Sequence, residues 1–173
     1  MSTELYLNAL ARQNRGEILK GVAESATDIG IVASNVHSDH LQMLPYRDDR
    51  LVLVTSVDHP LAHEEVVDFA RALSDDFVGL PTTSAIHAFM MTAADAVGVR
   101  LKLRIQVGNF EAACRMIGMG VGIGIVPESV ARRHAKTMHI AIIRLNDTRT
   151  VWSDVALQAR PSQRVSYRRS MVI

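Results

Sequence analysis

The feature that most constrains this chain is a repeated order of strand, loop and helix. It occurs four times, with the loops at residues 11–16, 80–85, 107–111 and 118–127. Strands that alternate with helices predict an α/β fold with a mostly parallel sheet. In such sheets the loops at the carboxyl ends of the strands face a common crevice, where ligands bind. No loop carries a complete catalytic set, so the pattern indicates a protein that senses a small molecule rather than one that transforms it.

Composition narrows the class of protein. The 173 residues are 48% hydrophobic and 21% charged, as in an ordinary globular domain, and are enough for one domain or two small lobes. A net charge of +1 argues against strong nucleic-acid binding by the chain itself. The single cysteine, Cys114, excludes an intrachain disulfide and lies in an apolar helical pattern. Without a signal peptide or an apolar run of membrane-spanning length, the chain is expected to reside in the cytoplasm and not in a membrane.

Hydrophobic periodicity predicts the elements. A period of two or a continuous apolar run predicts strands at 4–10, 28–33, 41–46, 50–56, 76–80, 100–107, 123–126, 138–145 and 151–159. A turn is predicted at 47–49, and Leu101, Leu103, Ile105 and Val107 are expected to point inward. Helices are predicted from residue 14, over 65–73, over 85–97 and from residue 110, and Ala26 is expected to share one face of the first with Ile18 and Val22. Pro127 is expected to be the first residue of another helix.

Polar residues stand where three of these strands give way to helices. Thr82, Thr83 and Ser84 offer hydroxyl groups beside the free N–H groups of a first helical turn, which together can hold an anion. Asn109 repeats this arrangement ahead of Phe110, and Asn14 repeats it with the positive charge of Arg15. Simple helix capping explains the same residues, and the two interpretations are compatible because a cap can face a cleft.

Other chemistries fit less well. The glycine-rich segment ends a helix and enters a strand, whereas a dinucleotide loop follows a strand and opens a helix. Its glycines are therefore interpreted as a helix end and as positions of close packing: Gly118, Gly120, Gly122 and Gly124. Proline breaks the helix that would be needed for His59 and His63 to share a metal ion, and no cysteine or carboxylate cluster stands at ligand spacing. No Ser–His–Asp or Cys–His set can be assembled. No cofactor, metal or catalytic residue is therefore predicted.

Several motifs taken together resemble a known family. They are Asp-Ile-Gly-Ile-Val at 28–32, Leu-Val-Leu-Val at 51–54, Asp-His-Pro-Leu-Ala at 58–62, and Gly-Met-Gly-Val-Gly-Ile-Gly-Ile-Val-Pro-Glu at 118–128. In order and spacing they resemble the effector-binding domain of LysR-type transcriptional regulators over about residues 4–160. The resemblance implies two Rossmann-like lobes of the type 2 periplasmic-binding-protein kind, with a small effector in the cleft. It also implies that the full-length protein binds promoter DNA through an N-terminal winged helix-turn-helix, usually as a tetramer.

The chain departs from that family pattern at its beginning. No helix-turn-helix is present, and the first strand-helix unit of lobe I is missing, because residues 4–10 resemble the family's second strand. The chain is therefore interpreted as a fragment or truncated product. Lobe I is expected to comprise 1–51 and 145–173 and lobe II 52–144, with strands 50–56 and 138–145 crossing between them. An uncovered sheet edge predicts a homodimer or larger assembly.

The predicted function is a regulatory domain that binds a small organic anion in the inter-lobe cleft. The candidate effector-binding residues are Asn14, Arg15, Thr82, Thr83, Ser84, Asn109 and Phe110. Two alternatives use the same cleft: a small-molecule enzyme, which would need a base and a nucleophile within reach of one another, and a periplasmic solute receptor, which would need a signal peptide.

Overall fold

A computed structural model of the chain describes residues 15–24, 26–33, 41–147, 150–159 and 171–172. Its helices are α1 Arg15–Ala23, α2 Phe69–Ala72, α3 Ala85–Ala96, α4 Phe110–Gly118 and α5 Glu128–His134, with a 3₁₀ helix at Pro60–His63. Its strands are β1 Ile29–Ala33, β2 Leu41–Ser56, β3 Val66–Val67, β4 Phe77–Gly79, β5 Leu103–Gln106, β6 Gly124–Pro127, β7 Ile140–Leu145, β8 Val151–Ala159 and β9 Met171–Val172. The predicted α/β class is confirmed.

The chain divides into two compact units. Unit 1 comprises Met1–Arg47 and Ser153–Ile173, and unit 2 comprises Asp48–Trp152. The division falls within β2 and within β8. The predicted strand at 4–10 lies outside the described residues.

Unit 1 is built around β1. This strand pairs antiparallel with β8 and parallel with β9. Helix α1 packs on β1 so closely that a Cβ atom at Gly30 would overlap the Ile18 side chain. Ile18 and Val22 point into the small core with Val32, Leu41 and Leu157. Glycine is thus required at position 30 because the helix lies directly over it.

The sheet of unit 2 is mixed rather than mostly parallel. The second half of β2 pairs antiparallel with both β6 and β7, while β3 runs parallel to β7. Strands β4 and β5 are parallel, and Phe77 in β4 forms a parallel bridge with Ile123, the residue before β6. Strands β5, β4 and β6 therefore run side by side in one direction, and the helices α3, α4 and α5 follow their carboxyl ends.

Two apolar clusters hold unit 2 together. The larger contains Phe69 and Phe77, whose ring centroids lie 6.0 Å apart, together with buried residues of α3. The smaller contains Cys114 and Ile117 of α4 together with buried valines of β2. Burial of both faces of β2 from Leu51 to Thr55 explains why this segment is a continuous apolar run.

Four local predictions were wrong or incomplete. Residues 41–56 form one strand instead of two, because Arg47-Asp48-Asp49 lacks the glycine that follows aspartate in a tight hairpin turn. Residues 65–73 form β3 and then the short α2, since the β-branched pair Val66–Val67 joins β7 before the helix can begin. Ile105 is 39% exposed rather than inward, and Ala26 lies beyond the end of α1.

The glycine-rich segment behaves as the sequence predicted, with one difference at its end. Gly118 is the last residue of α4, and Gly120 has a φ of 75°, a conformation that favours glycine. Pro127 is the N-cap of α5 and the last residue of β6 instead of the first helical residue.

Candidate functional site

The carboxyl ends of β4 and β5 bring two polar loops together in unit 2. Gly79 pairs with Gln106, and the Val107 N–H donates to the Gly79 carbonyl at 2.9 Å. Neighbouring strands lie about 4.8 Å apart, so the loops 80–84 and 107–109 leave the sheet side by side. Each loop then begins a helix, which places the N-termini of α3 and α4 at the same edge of the sheet.

The loop after β4 is a tight turn that ends in a helix cap. The Ser84 N–H donates to the Pro81 carbonyl at 2.8 Å, which leaves Thr82 and Thr83 as the exposed central residues of the turn. Ser84 is half-buried, and its hydroxyl oxygen accepts from the His87 N–H at 3.1 Å. The predicted cap at Ser84 is confirmed. No acidic residue lies in the first turn of α3.

The loop after β5 ends in a second cap, also as predicted. The Asn109 side-chain oxygen accepts from the Ala112 N–H at 2.9 Å. Phe110 is half-buried and packs against both apolar clusters of unit 2. Glu111 brings a negative charge to the first turn of α4, where it pairs with Arg115 at 3.0 Å on the exposed face. Asn109 itself contributes no charge.

The third helix at this edge is capped differently. Asp49, in β2, accepts hydrogen bonds at the start of α5 from both the N–H and the hydroxyl of Ser129. Glu128 adds a second carboxylate to the same turn and pairs with Arg132. The positive end of α5 is therefore occupied by side chains of the protein itself. Sequence reasoning missed this contact, because Asp49 and Ser129 are 80 residues apart in the chain.

Two further residues near the loops were also missed. The Gln106 side-chain amide donates to the Leu80 carbonyl at 3.3 Å, which ties the loop after β4 to the end of β5. His87, in the first turn of α3, has a buried Nδ1 atom without a hydrogen-bond partner. The period-two pattern of β5 contains nothing that distinguishes Gln106 from its neighbours. His87 lies within a predicted helix, and no sequence motif marks it as functional.

The remaining predicted contacts are in unit 1. Asn14 lies outside the described residues, and Arg15 is the first residue of α1. Their contribution to an effector site stays a prediction, as does that of Thr82, Thr83, Ser84, Asn109 and Phe110.

The described residues offer little support for a catalytic or metal site. Cys114 is fully buried, and burial raises the pKa of its thiol to about 11, so it is no nucleophile at neutral pH. His59 accepts from the Leu61 N–H through Nδ1 and lies 3.4 Å from Asp75 through Nε2, which gives it a structural role. Within the described ranges, no three His, Cys, Asp or Glu side chains group to hold a metal ion. None of the described helices is long and apolar enough to cross a membrane.

Comparison with known proteins decides the family. The model of the LysR substrate binding domain matches residues 9–168, most of the chain. The chain belongs to the LysR substrate-binding domain family. Curated relatives include a probable RuBisCO transcriptional regulator of Synechocystis, 27% identical over 77% of this chain and 41% of that protein. Another is the Hca operon transcriptional activator HcaR of Escherichia coli, 32% identical over 58% of this chain and 34% of that protein.

Solved structures of LysR-type proteins share the fold. The effector-binding domain of QuiR in complex with shikimate superimposes with a TM-score of 0.74 at 16% identity, covering 89% of this chain and 72% of that one. The regulatory domain of Synechocystis CcmR in complex with 2-PG has a TM-score of 0.77 at 18% identity, covering 89% of this chain and 74% of that one. The predicted type 2 periplasmic-binding-protein-like fold is confirmed.

Family membership also bears on the enzyme alternative. The chain spans less than half the length of the curated relatives just named, and these are transcriptional regulators rather than enzymes. The prediction of a non-enzymatic, LysR-type chain is thereby confirmed.

Proposed function

We propose that this chain is the ligand-sensing part of a LysR-type transcriptional regulator and that it binds a small organic anion. The observation that carries the proposal is the pair of neutral caps, Ser84 and Asn109, at the ends of two paired parallel strands. Unit 2 would contribute Thr82, Thr83, Ser84, Asn109 and Phe110 to the effector site. Asn14 and Arg15 remain candidates for further contacts.

The physical basis is the chemistry of a helix N-terminus. The first N–H groups of a helix have no partner within it, and the helix dipole places about half a positive charge there. Two such ends at one sheet edge favour a carboxylate, phosphate or similar anion. The exposed hydroxyl groups of Thr82 and Thr83 would add neutral hydrogen bonds worth about 0.5–1.5 kcal/mol each.

The solved relatives support a small-molecule ligand. One regulatory domain of this fold was determined with shikimate and another with 2-PG. Another solved structure of this fold, the C206S mutant of Corynebacterium glutamicum OxyR, was determined in an H₂O₂-bound form. Ligand binding can control such a domain only through different affinities for its conformations.

The wider role rests on the longer relatives. We propose that the whole protein acts in the cytoplasm as a dimer or tetramer and binds promoter DNA through a winged helix-turn-helix. The support is that the curated relatives are named as transcriptional regulators, one of them as HTH-type, and that this chain spans only 41% and 45% of their length.

A thermal-shift screen of the 173-residue chain tests the ligand. Shikimate, 2-PG, sulfate and inorganic phosphate are the first probes. A bound anion is expected to stabilise the native state by about 2.7 kcal/mol at one hundred times its dissociation constant. Chromatography of the ligand afterwards should return it unchanged, whereas conversion would favour the enzyme alternative.

Matched variants locate the site. Thr83→Ala is expected to weaken binding by about 0.5–1.5 kcal/mol. The control is Ser74→Ala, an exposed hydroxyl elsewhere in unit 2 whose Oγ donates to the Arg71 carbonyl. Arg15→Glu is expected to weaken binding of anions and spare neutral ligands. Equal binding by the Thr83 and Ser74 variants would place the ligand elsewhere.

A further inference from the structure

His87 carries a polar atom that the fold leaves without a partner. Its Nδ1 is the one buried side-chain nitrogen or oxygen without a hydrogen bond among the described residues. A buried polar group without a partner costs about 1–3 kcal/mol, so such a group is retained for a reason other than stability. Nε2 of the same ring has no partner in the described part of the chain either, and it reaches solvent.

His59 shows what a structural histidine looks like in the same unit. Its Nδ1 accepts from the Leu61 N–H at 3.2 Å, and its Nε2 lies 3.4 Å from a carboxylate oxygen of Asp75. Both ring nitrogens are used within the fold. The ring of His87 has neither contact, although it is also partly buried.

The position of His87 in α3 brings it close to the candidate effector site. It is the third residue of α3, and its backbone N–H is held by the Ser84 hydroxyl. Side chains in a helix lean toward its N-terminus, so a ring at this position lies over the first turn. The loop 80–84 begins that turn.

Burial of Nδ1 also selects the tautomer. A buried lone pair without a donor is tolerated more readily than a buried N–H without an acceptor. The proton of the neutral imidazole therefore belongs on Nε2, the nitrogen that reaches solvent. In this form the ring presents a hydrogen-bond donor at the start of α3, beside the N–H groups of the helix.

We propose that His87 is a ligand-contacting residue whose Nε2–H donates to an oxygen atom of the bound anion. The inference rests on the proposed function and narrows its ligand. The anion would carry at least two acceptor oxygens, one for the α3 N–H groups and one for His87. A hydroxyl or amine hydrogen at the second position would find no acceptor on the ring.

Nitrogen NMR of the histidine side chains tests this in the unaltered chain. The His87 ring should show the Nε2–H tautomer, and titration with inorganic phosphate, shikimate and 2-PG should shift its Nε2 resonance. The exposed His63 and His139 serve as internal controls. Shifts at the Thr82–Ser84 amides without a shift at His87 would overturn this inference and leave the proposed site standing. No shift at either place with any probe would overturn both.

Three substitutions separate binding from packing. His87→Phe should raise the melting temperature, because it removes the buried unpartnered nitrogen, and should weaken binding about tenfold or more. His87→Gln places an amide donor near the position of Nε2 and should retain most of the affinity, whereas His87→Asn should not. His63→Phe is the matched control. Unchanged affinity in His87→Phe would show that the ring only fills space beside a trapped water, and would overturn the proposal.

Discussion

Helices α3 and α5 begin at the carboxyl ends of neighbouring parallel strands, yet their first turns are occupied in opposite ways. The first turn of α3 meets the hydroxyl of Ser84 and contains no acidic side chain. The first turn of α5 meets the Asp49 carboxylate and contains Glu128. The difference teaches that topology alone does not create an anion site at a strand end. The charge of the capping group decides whether the helix end is open to a ligand or already satisfied.

The second cap at this edge extends the comparison. Asn109 caps α4 with a neutral amide, as Ser84 caps α3 with a neutral hydroxyl. Asp49 reaches α5 from β2, a strand that pairs directly with β6. The charged cap of α5 is therefore built from a long-range contact, and the neutral caps of α3 and α4 are built from residues adjacent to each helix.

The comparison depends on the junction where β4 pairs with Ile123 at the start of β6, and Gly122→Ala should break it. A Cβ atom there would lie 2.5 Å from the Asp76 carbonyl oxygen, and backbone cannot move aside as a flexible side chain can. We expect a loss of about 3 kcal/mol in the free energy of unfolding by urea. Gly108→Ala is the control, since nothing lies within 4 Å of its Cβ position. Equal stability of the two variants would show that the junction is not tight.

Removal of the charged cap should have the next largest effect. In Asp49→Ala the N–H and hydroxyl of Ser129 lose their acceptor, and we expect a loss of about 2 kcal/mol in the same urea measurement. Asp95→Ala, at an exposed position on α3, is the control and should change stability by less than about 0.5 kcal/mol. If the Asp49 variant matched the Asp95 variant, α5 would not depend on its carboxylate.

The sequence predicted the neutral caps of α3 and α4 better than the charged cap of α5, and the reason is physical. Ser84 and Asn109 cap helices that begin at the next residue, so their role depends on local chain geometry that propensity can express. Asp49 acts on a helix 80 residues away, and its strand was predicted to turn at that very point. The unpartnered nitrogen of His87 arises from tertiary packing, which leaves no local signal. Asn14 lies outside the described residues.

Loss of the neutral cap alone should have a smaller effect than loss of the charged one. Ser84→Ala removes the acceptor of the His87 N–H, and we expect a loss of about 1 kcal/mol in stability. Thermal unfolding beside Ser74→Ala, an exposed serine whose hydroxyl donates to the Arg71 carbonyl, measures the difference. A loss as large as that of Asp49→Ala would remove the energetic distinction between the two kinds of cap.

The most direct test replaces the neutral cap of α3 by a charged one like that of α5. Aspartate caps a helix about as well as serine, so Ser84→Asp should keep its stability within a few tenths of a kcal/mol. Its carboxylate would occupy the first turn as Asp49 does in α5 and would repel an added anion. Isothermal titration with the anion that stabilises the unaltered chain most in the thermal-shift screen should show binding weakened at least tenfold in Ser84→Asp. Unchanged affinity in a stably folded Ser84→Asp variant would contradict the claim that the N-terminus of α3 holds the effector.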